Sequence, residues 1–234
     1  MAAFFARPGV ELRLPLSPEP VLESWNSRDH PDQLRLRTYL DAVAAHLKVE
    51  NWNPEQPRAV ELTVGLADST PLDRGGRDLD NYLYPLARRF GADRIAAVFG
   101  RKVHQRGSTI AAADAVLADE PNTPASLSVR TSMSTQSEAW KRAIHQACID
   151  AVTEPLPPGP VALQLVFGVA RHRNWATLWK PAIDALGPVL GIPNPNRPYR
   201  PDDDRIVDLA LHRHLDDALR HDVTIEAWWR SADA

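Results

Sequence analysis

The chain reads as an α+β protein built from two copies of one unit, each a mixed β-sheet with helices packed on it. The first reason is a block, Arg77-Asp78-Leu79-Asp80-Asn81 with Pro85 and Gly91 behind it. It recurs in altered form as Arg173-Asn174-Trp175-Ala176-Thr177, with Pro181 and Gly187. The second is that further markers repeat in the same order. Asp41-Ala42-Val43 is echoed by Asp150-Ala151-Val152, Val60-Glu61-Leu62-Thr63-Val64 by Val161-Ala162-Leu163-Gln164-Leu165, and Asp93-Arg94-Ile95 by Asp204-Arg205-Ile206. Short matches in a shared order are the mark of an internal repeat. The third is that strands and short helices alternate within each half, with some strands hairpin-linked, which implies a mixed sheet.

The elements follow in turn. Val10 to Leu14 alternates as a half-buried strand, and 15–31 is loop. Leu36, Tyr39, Leu40, Val43 and Leu47 recur at helical spacing until Asn51 to Pro57 interrupts them. Ala59 to Leu66 is a strand, and Gly75-Gly76 turns the chain into a helix from Leu79 to Phe90, started by Asp78 and stopped at Gly91. Arg94 to Val103 and Ser108 to Val116 read as two strands paired around Gln105-Arg106-Gly107. Glu120 to Pro124 is the expected linker, dividing the chain into units 1–120 and 121–234. The second unit repeats the programme: strand Ser126 to Thr131, helix Ser137 to Thr153, a proline-rich turn, and strand Val161 to Val169. Trp175, Leu178, Trp179, Ala182 and Leu186 then form one apolar helix face, suited to a core or an interface. A proline-rich loop over 188–203 precedes strands Arg205 to Arg213 and Asp222 to Arg230, and loops of that length are often functional.

With 44% hydrophobic and 24% charged residues, the chain can build a sizeable core, and it has no run of about 18 apolar residues. The N-terminus lacks the features of a secretory signal, so a cytoplasmic protein is expected. The single cysteine, Cys148, excludes an internal disulfide and a cysteine-rich zinc site, and its helical setting predicts burial. A net charge of −3 and a pI near 6.2 argue against a general nucleic-acid binder, so any phosphate contact must be local. Arg171, Arg173, Arg197, Arg200 and Arg205 are the candidates, and a solvated basic surface is the other reading of them.

Asp78 and Asp80 flank one residue at a helix start, so one short piece of backbone can present two carboxylates to a hard cation such as magnesium. They also suit a plain helix start, with Asp78 as cap, Asp80 complementing the dipole and Asn81 bonding locally. Asp202-Asp203-Asp204 places three mutually repelling carboxylates before a strand, either as a cation site or as a solvated patch paired with Arg200 and Arg205. Lys180 can steady a phosphate or a leaving group, or lie along the surface. His212 and His214 share a strand face, with no third metal ligand in view.

The block around Asp78, and separately Lys180-Pro181-Ala182-Ile183-Asp184-Ala185-Leu186 followed by Asp202-Asp203 and a strand, resemble the RusA family of Holliday junction resolvases. The resemblance implies small homodimeric, magnesium-dependent endonucleases carrying R-x-D-x-D-N-x-x-K, then a D-A-L helix, then D-D before a strand. On that reading this chain is two tandem RusA-like units forming a pseudo-dimer, acting on branched DNA in recombination or repair. The motif is divided between the halves. The first keeps Asp78, Asp80 and Asn81, but its arginine is displaced to Arg77, Tyr84 stands at the lysine position, and Ala92 with Asp93 replaces the acidic pair. The second keeps Lys180 and Asp202-Asp203, but Asn174, Ala176 and Thr177 replace the two aspartates and the asparagine. Two outcomes fit: one composite magnesium site of Asp78, Asp80 and Asp203 with Lys180 beside it, or an inactive DNA- or protein-binding module on the fused scaffold. A regulatory subunit using Trp228 and Trp229 for a protein contact is a third class.

Overall fold

The computed structural model describes residues 2–24, 26–121, 125–135 and 137–232, so part of the expected linker lies outside the described residues. The chain opens with two short strands, β1 (Phe4–Phe5) and β2 (Leu14–Pro15), and continues through β3 (Arg58–Leu66), β4 (Ile95–His104), β5 (Thr109–Asp114) and β6 (Leu117–Ala118). β7 (Leu127–Thr131), β8 (Val161–Val169), β9 (Ile206–Leu215) and β10 (Val223–Ser231) follow. Eight of these strands make one mixed sheet in the order β2-β5-β3-β4-β9-β8-β10-β7, and β1 pairs with β6 separately. The protein is therefore α+β, and a single sheet runs through both halves of the sequence.

The order reads alike from either edge. β3 runs parallel to β4 and β8 parallel to β9, whereas β5 on β3, β10 on β8, and the central pair β4 on β9 are antiparallel. Arg58 opposite Ile95 and Val161 opposite Ile206 are the first bridges of the two parallel pairs, and each is followed by a register shift. That register aligns Arg58 with Val161, two residues away from the match read off the apolar runs. At the centre, Phe99 faces Ala210, each the fifth residue of its strand.

Among the described residues the helices are α1 (Pro31–His46), α2 (Leu79–Phe90), α3 (Glu138–Ala151), α4 (Trp179–Asp184) and α5 (Gly187–Leu190). Their apolar faces share one core with one face of the sheet, including Val60, Leu62, Val98, Leu163, Leu165 and Leu209. Alternation along the strands sends Ala59, Ala97, Phe99 and Ala210 to the other face, where Phe5 covers them. A Cβ on Gly100 would stand 3.0 Å from Leu83 Cδ1, so the absence of a side chain there sets how closely α2 lies on β4. Cys148 is buried as expected. No helix among the described residues is long and apolar enough to cross a membrane.

Three expectations need correction. Val10–Leu12 is a 3-10 turn with Val10 and Leu12 exposed, so the alternation there faces no core and only Leu14–Pro15 pairs. The strands flanking Gln105-Arg106-Gly107 do not pair with each other, because β3 lies between them. The turn crosses over the end of β3 at Gly65, where a Cβ would stand 1.8 Å from the Gly107 carbonyl oxygen. The expected single helix from Trp175 to Leu186 is broken into a 3-10 turn, Trp175–Leu178, followed by α4 and α5. Pro181 and Pro188 lack the N–H groups that a continuous helix needs, although the predicted apolar face is buried throughout.

Candidate metal centre

Asp78 and Asp80 stand at the start of α2, the first as its N-cap residue and the second in its first turn. The Asp78 side chain does not cap the helix; it accepts a 3.0 Å hydrogen bond from Asn81 Nδ2, leaving its other oxygen free of the backbone. Asp203 arrives from the opposite half, in the 3-10 turn Asp203–Arg205 that leads into β9. One carboxylate oxygen from each of Asp78, Asp80 and Asp203 lies within 4.8 Å of the others. This is the group of three potential metal ligands found among the described residues.

Lys180, on α4, closes the cluster. Its Nζ is 2.6 Å from Asp203 Oδ2, 3.7 Å from Asp80 Oδ2 and 3.3 Å from Asp184 Oδ1. Lys141 of α3 holds the other Asp184 oxygen at 2.6 Å. The four residues assigned to the site from sequence therefore come together, two from each half.

Electrostatics single out Asp80. Its side chain is 4% exposed, and burial pushes its carboxyl up to about 7 against the pull of Lys180, with Asp203 and Asp78 raising it further. Burial and the Asp203 charge likewise push Asp78 up to about 6. Burial opposes charge on Lys180, but Asp80, Asp203 and Asp184 outweigh it and raise its pKa above the ordinary lysine value. Three carboxylates held this close repel one another in a largely buried setting, and their ionisation is costly unless a cation offsets it. The residues present fit a divalent metal ion with oxygen ligands.

The rest of the acidic triplet has separate tasks. Asp204 accepts hydrogen bonds from the backbone N–H groups of Gly76 and Arg77, the latter at 2.7 Å, and so fixes the approach to α2. Asp202 faces away toward Arg205, and burial raises its carboxyl. Sequence reasoning missed Asp204 as an anchor and missed Lys102, whose Nζ donates 2.6 Å to the Asp204 carbonyl. A signal existed: Lys102 has the same strand parity as Val98 and Gly100, the core-facing set, where a lysine needs a partner.

The basic candidates divide. Arg205 is no phosphate ligand, a correction to the sequence reading. It is buried, and its guanidinium donates to the carbonyls of Gly159 at 2.9 Å, Leu190 at 2.7 Å and Pro157. Arg171 is exposed and paired with Asp217 at 3.3 Å. Arg173 is half-buried, and its Nε has no protein partner. Arg197 and Arg200 line an open cleft of about 600 Å³ with Lys141 and Ser137. A narrower cleft of about 300 Å³ reaches Asp80, Lys180, Asp184 and Lys141. His212 is buried and accepts a hydrogen bond from the Phe5 N–H at 3.2 Å. Burial and Arg7 push it down to about 3, so it stays neutral and secures the N-terminal segment.

No protein-family model matches the chain, and no curated protein matches it. What defines the molecule is an α+β scaffold with one continuous sheet and a carboxylate cluster drawn from both halves.

Proposed function

We propose that this protein is a RusA-like, magnesium-dependent endonuclease of branched DNA, acting in the cytoplasm as a single-chain pseudo-dimer of two diverged units. The observation that carries the reading is the meeting of Asp78 and Asp80 with Asp203 and Lys180, residues about a hundred positions apart that the family motif groups together. Asp78, Asp80 and Asp203 would hold the ion. When bound, magnesium supplies charge neutralisation at a phosphodiester and activation of the attacking water. Asp80 is fixed by burial on α2, and Asp78 is oriented by Asn81. Lys180 is half-exposed beside the carboxylates, which suits it to hold a non-bridging phosphate oxygen or the leaving oxygen. Arg197 and Arg200 extend the cationic surface along the neighbouring cleft, where phosphate contacts position the DNA backbone.

The test is cleavage of synthetic four-way junctions with magnesium, alongside the Asp80→Asn protein. Magnesium-dependent incision that this substitution abolishes supports the proposal. Junctions left intact at every metal concentration remove the enzyme reading. A second reading, an inactive binding module, is favoured by one contact: the Lys180 ammonium, 2.6 Å from Asp203 Oδ2, already neutralises one carboxylate of the cluster. It predicts salt-sensitive junction binding without cleavage, unaffected by Asp80→Asn.

A further inference from the structure

The symmetric strand order places a second location opposite the carboxylate cluster, where the start of the 3-10 turn Trp175–Leu178 meets the 3-10 turn Ala92–Arg94. By motif position, Asn174 and Ala176 correspond to Asp78 and Asp80, Ala92 to Asp203, and Tyr84 to Lys180, with Ala176 and Tyr84 lining the cleft that also reaches Asp80 and Lys180. None of these four side chains carries a formal charge at neutral pH. Asn174 is occupied as a helix cap, accepting from the Ala176 N–H at 3.2 Å. The space is also filled. Trp175 is fully buried, its indole N–H donates to the Ala92 carbonyl at 2.8 Å, and its ring packs 4.8 Å from that of Trp179. Arg213 donates to the Asp93 carbonyl at 2.9 Å and also reaches the Ala92 carbonyl. The Trp175 indole and the Arg213 guanidinium thus bind the backbone of the turn that corresponds to the one carrying Asp203.

We infer that the protein makes one incision per binding event, so that its product from a four-way junction is a junction nicked in one strand rather than two nicked duplexes. This rests on the endonuclease reading above. Each incision adds one water across one phosphodiester: the water gives up a proton as its oxygen bonds to phosphorus, one P–O ester bond breaks, and the leaving oxygen takes up a proton, so that one phosphate monoester and one hydroxyl end result. At the opposing strand the matching motif positions, Asn174, Ala176 and Ala92, supply no carboxylate to hold an ion. A second cut requires release and rebinding in the opposite orientation.

A supercoiled plasmid carrying an extruded cruciform distinguishes the outcomes in the first turnover with magnesium and excess protein. Single incision relaxes the plasmid and collapses the cruciform, giving nicked circles only. Paired incision in one encounter gives linear molecules. Nicked circles with no linear product support the inference, and linear molecules formed from the outset overturn it while leaving the endonuclease reading intact. Absence of either product removes the endonuclease reading and this inference with it. Strand-resolved labelling of a non-collapsing synthetic junction gives an independent count: one cut strand per complex is expected, and two in the same complex overturn it.

Discussion

Lys102 Nζ donates to the backbone carbonyl of Asp204 at 2.6 Å, joining a core-facing position of β4 to the turn that carries Asp203. The Asp204 carboxylate lies 3.8 Å from the same ammonium and binds the N–H groups leading into α2. Lys102 and Asp204 therefore hold both contributions to the cluster, Asp203 on one side and Asp78 with Asp80 on the other, in register. Arg213, the eighth residue of β9 as Lys102 is of β4, makes the reciprocal contact to Asp93.

Replacing Lys102 with Met keeps the aliphatic volume and removes the donor. Leaving a buried acceptor unpaired costs roughly 1–3 kcal/mol, and the loosened turn should weaken divalent-cation binding as well. Urea unfolding and a cation titration check the two effects separately. An unchanged midpoint together with unchanged affinity would show that the contact does not organise the cluster.

Arg205 should behave as a structural residue. Arg205→Ala strands three carbonyls, so destabilisation of about 3 kcal/mol or more is expected from lost charge-assisted hydrogen bonds. Arg200→Ala, at an exposed position beside the open cleft, should leave the melting temperature within a degree or two of the parent, about 0.5 kcal/mol. On the endonuclease proposal, it should lower junction affinity and flatten its dependence on salt. The opposite pattern, a stable Arg205→Ala that loses DNA affinity, would count Arg205 among the phosphate contacts of the proposed function.

How far the sequence carried these conclusions differs by element. Most strand and helix positions were legible because period-2 and 3.6-residue patterns report on burial, whereas the alternation over Val10 to Leu14 faced no core and misled. Leu79 to Phe90 was read to the residue from its Asp78 start and Gly91 stop. The crossing of the 105–108 turn over Gly65 was not legible, since hairpin signals describe a local turn and say nothing about a strand inserted between its arms. Asp78, Asp80, Asp203 and Lys180 could be nominated from motif spacing, but their convergence depends on β4 pairing with β9, a contact between residues over a hundred positions apart. Arg205 misled because charge alone does not distinguish a solvated guanidinium from one saturated by carbonyls.

The pH dependence of the metal-free protein follows from Asp80 and Asp78. An unfolded carboxyl titrates near 4, whereas burial raises these to about 7 and about 6 in the folded protein. Between those limits the folded state holds more protons than the unfolded state, so stability falls as pH rises through about 4 to 7 and levels off above. Below pH 4 both states are protonated at these positions and the penalty is absent. A drop on the order of a few kcal/mol is expected across the window, superimposed on the other carboxylates. Comparing denaturation curves of the parent and Asp80→Asn at several pH values isolates it. Asp80→Asn should be the more stable protein at pH 8 without metal, and added magnesium should stabilise the parent alone. A parent that gains stability from pH 5 to 8 relative to Asp80→Asn would contradict the raised carboxyl.

Lys180→Met separates the lysine's two relationships to the cluster. Its ammonium sits 2.6 Å from Asp203 Oδ2, where it neutralises a carboxylate that a bound cation would also neutralise. Removing it leaves Asp80, Asp184 and Asp203 without that charge, so the metal-free protein should lose stability, by about 1 kcal/mol for a half-exposed ammonium screened by solvent. A divalent cation then meets a more negative cluster with Asp203 unencumbered, and its affinity should rise severalfold. On the endonuclease proposal, junction cleavage should nevertheless fall by about a hundredfold or more, as expected when a donor that stabilises charge at the reacting phosphate is lost. Isothermal titration with magnesium and single-turnover cleavage read the two quantities in one preparation. Tighter ion binding with slower cleavage assigns Lys180 to the phosphate. A parallel loss of both would make it a scaffold for the ligands, and cleavage at the parent rate would take it out of the site.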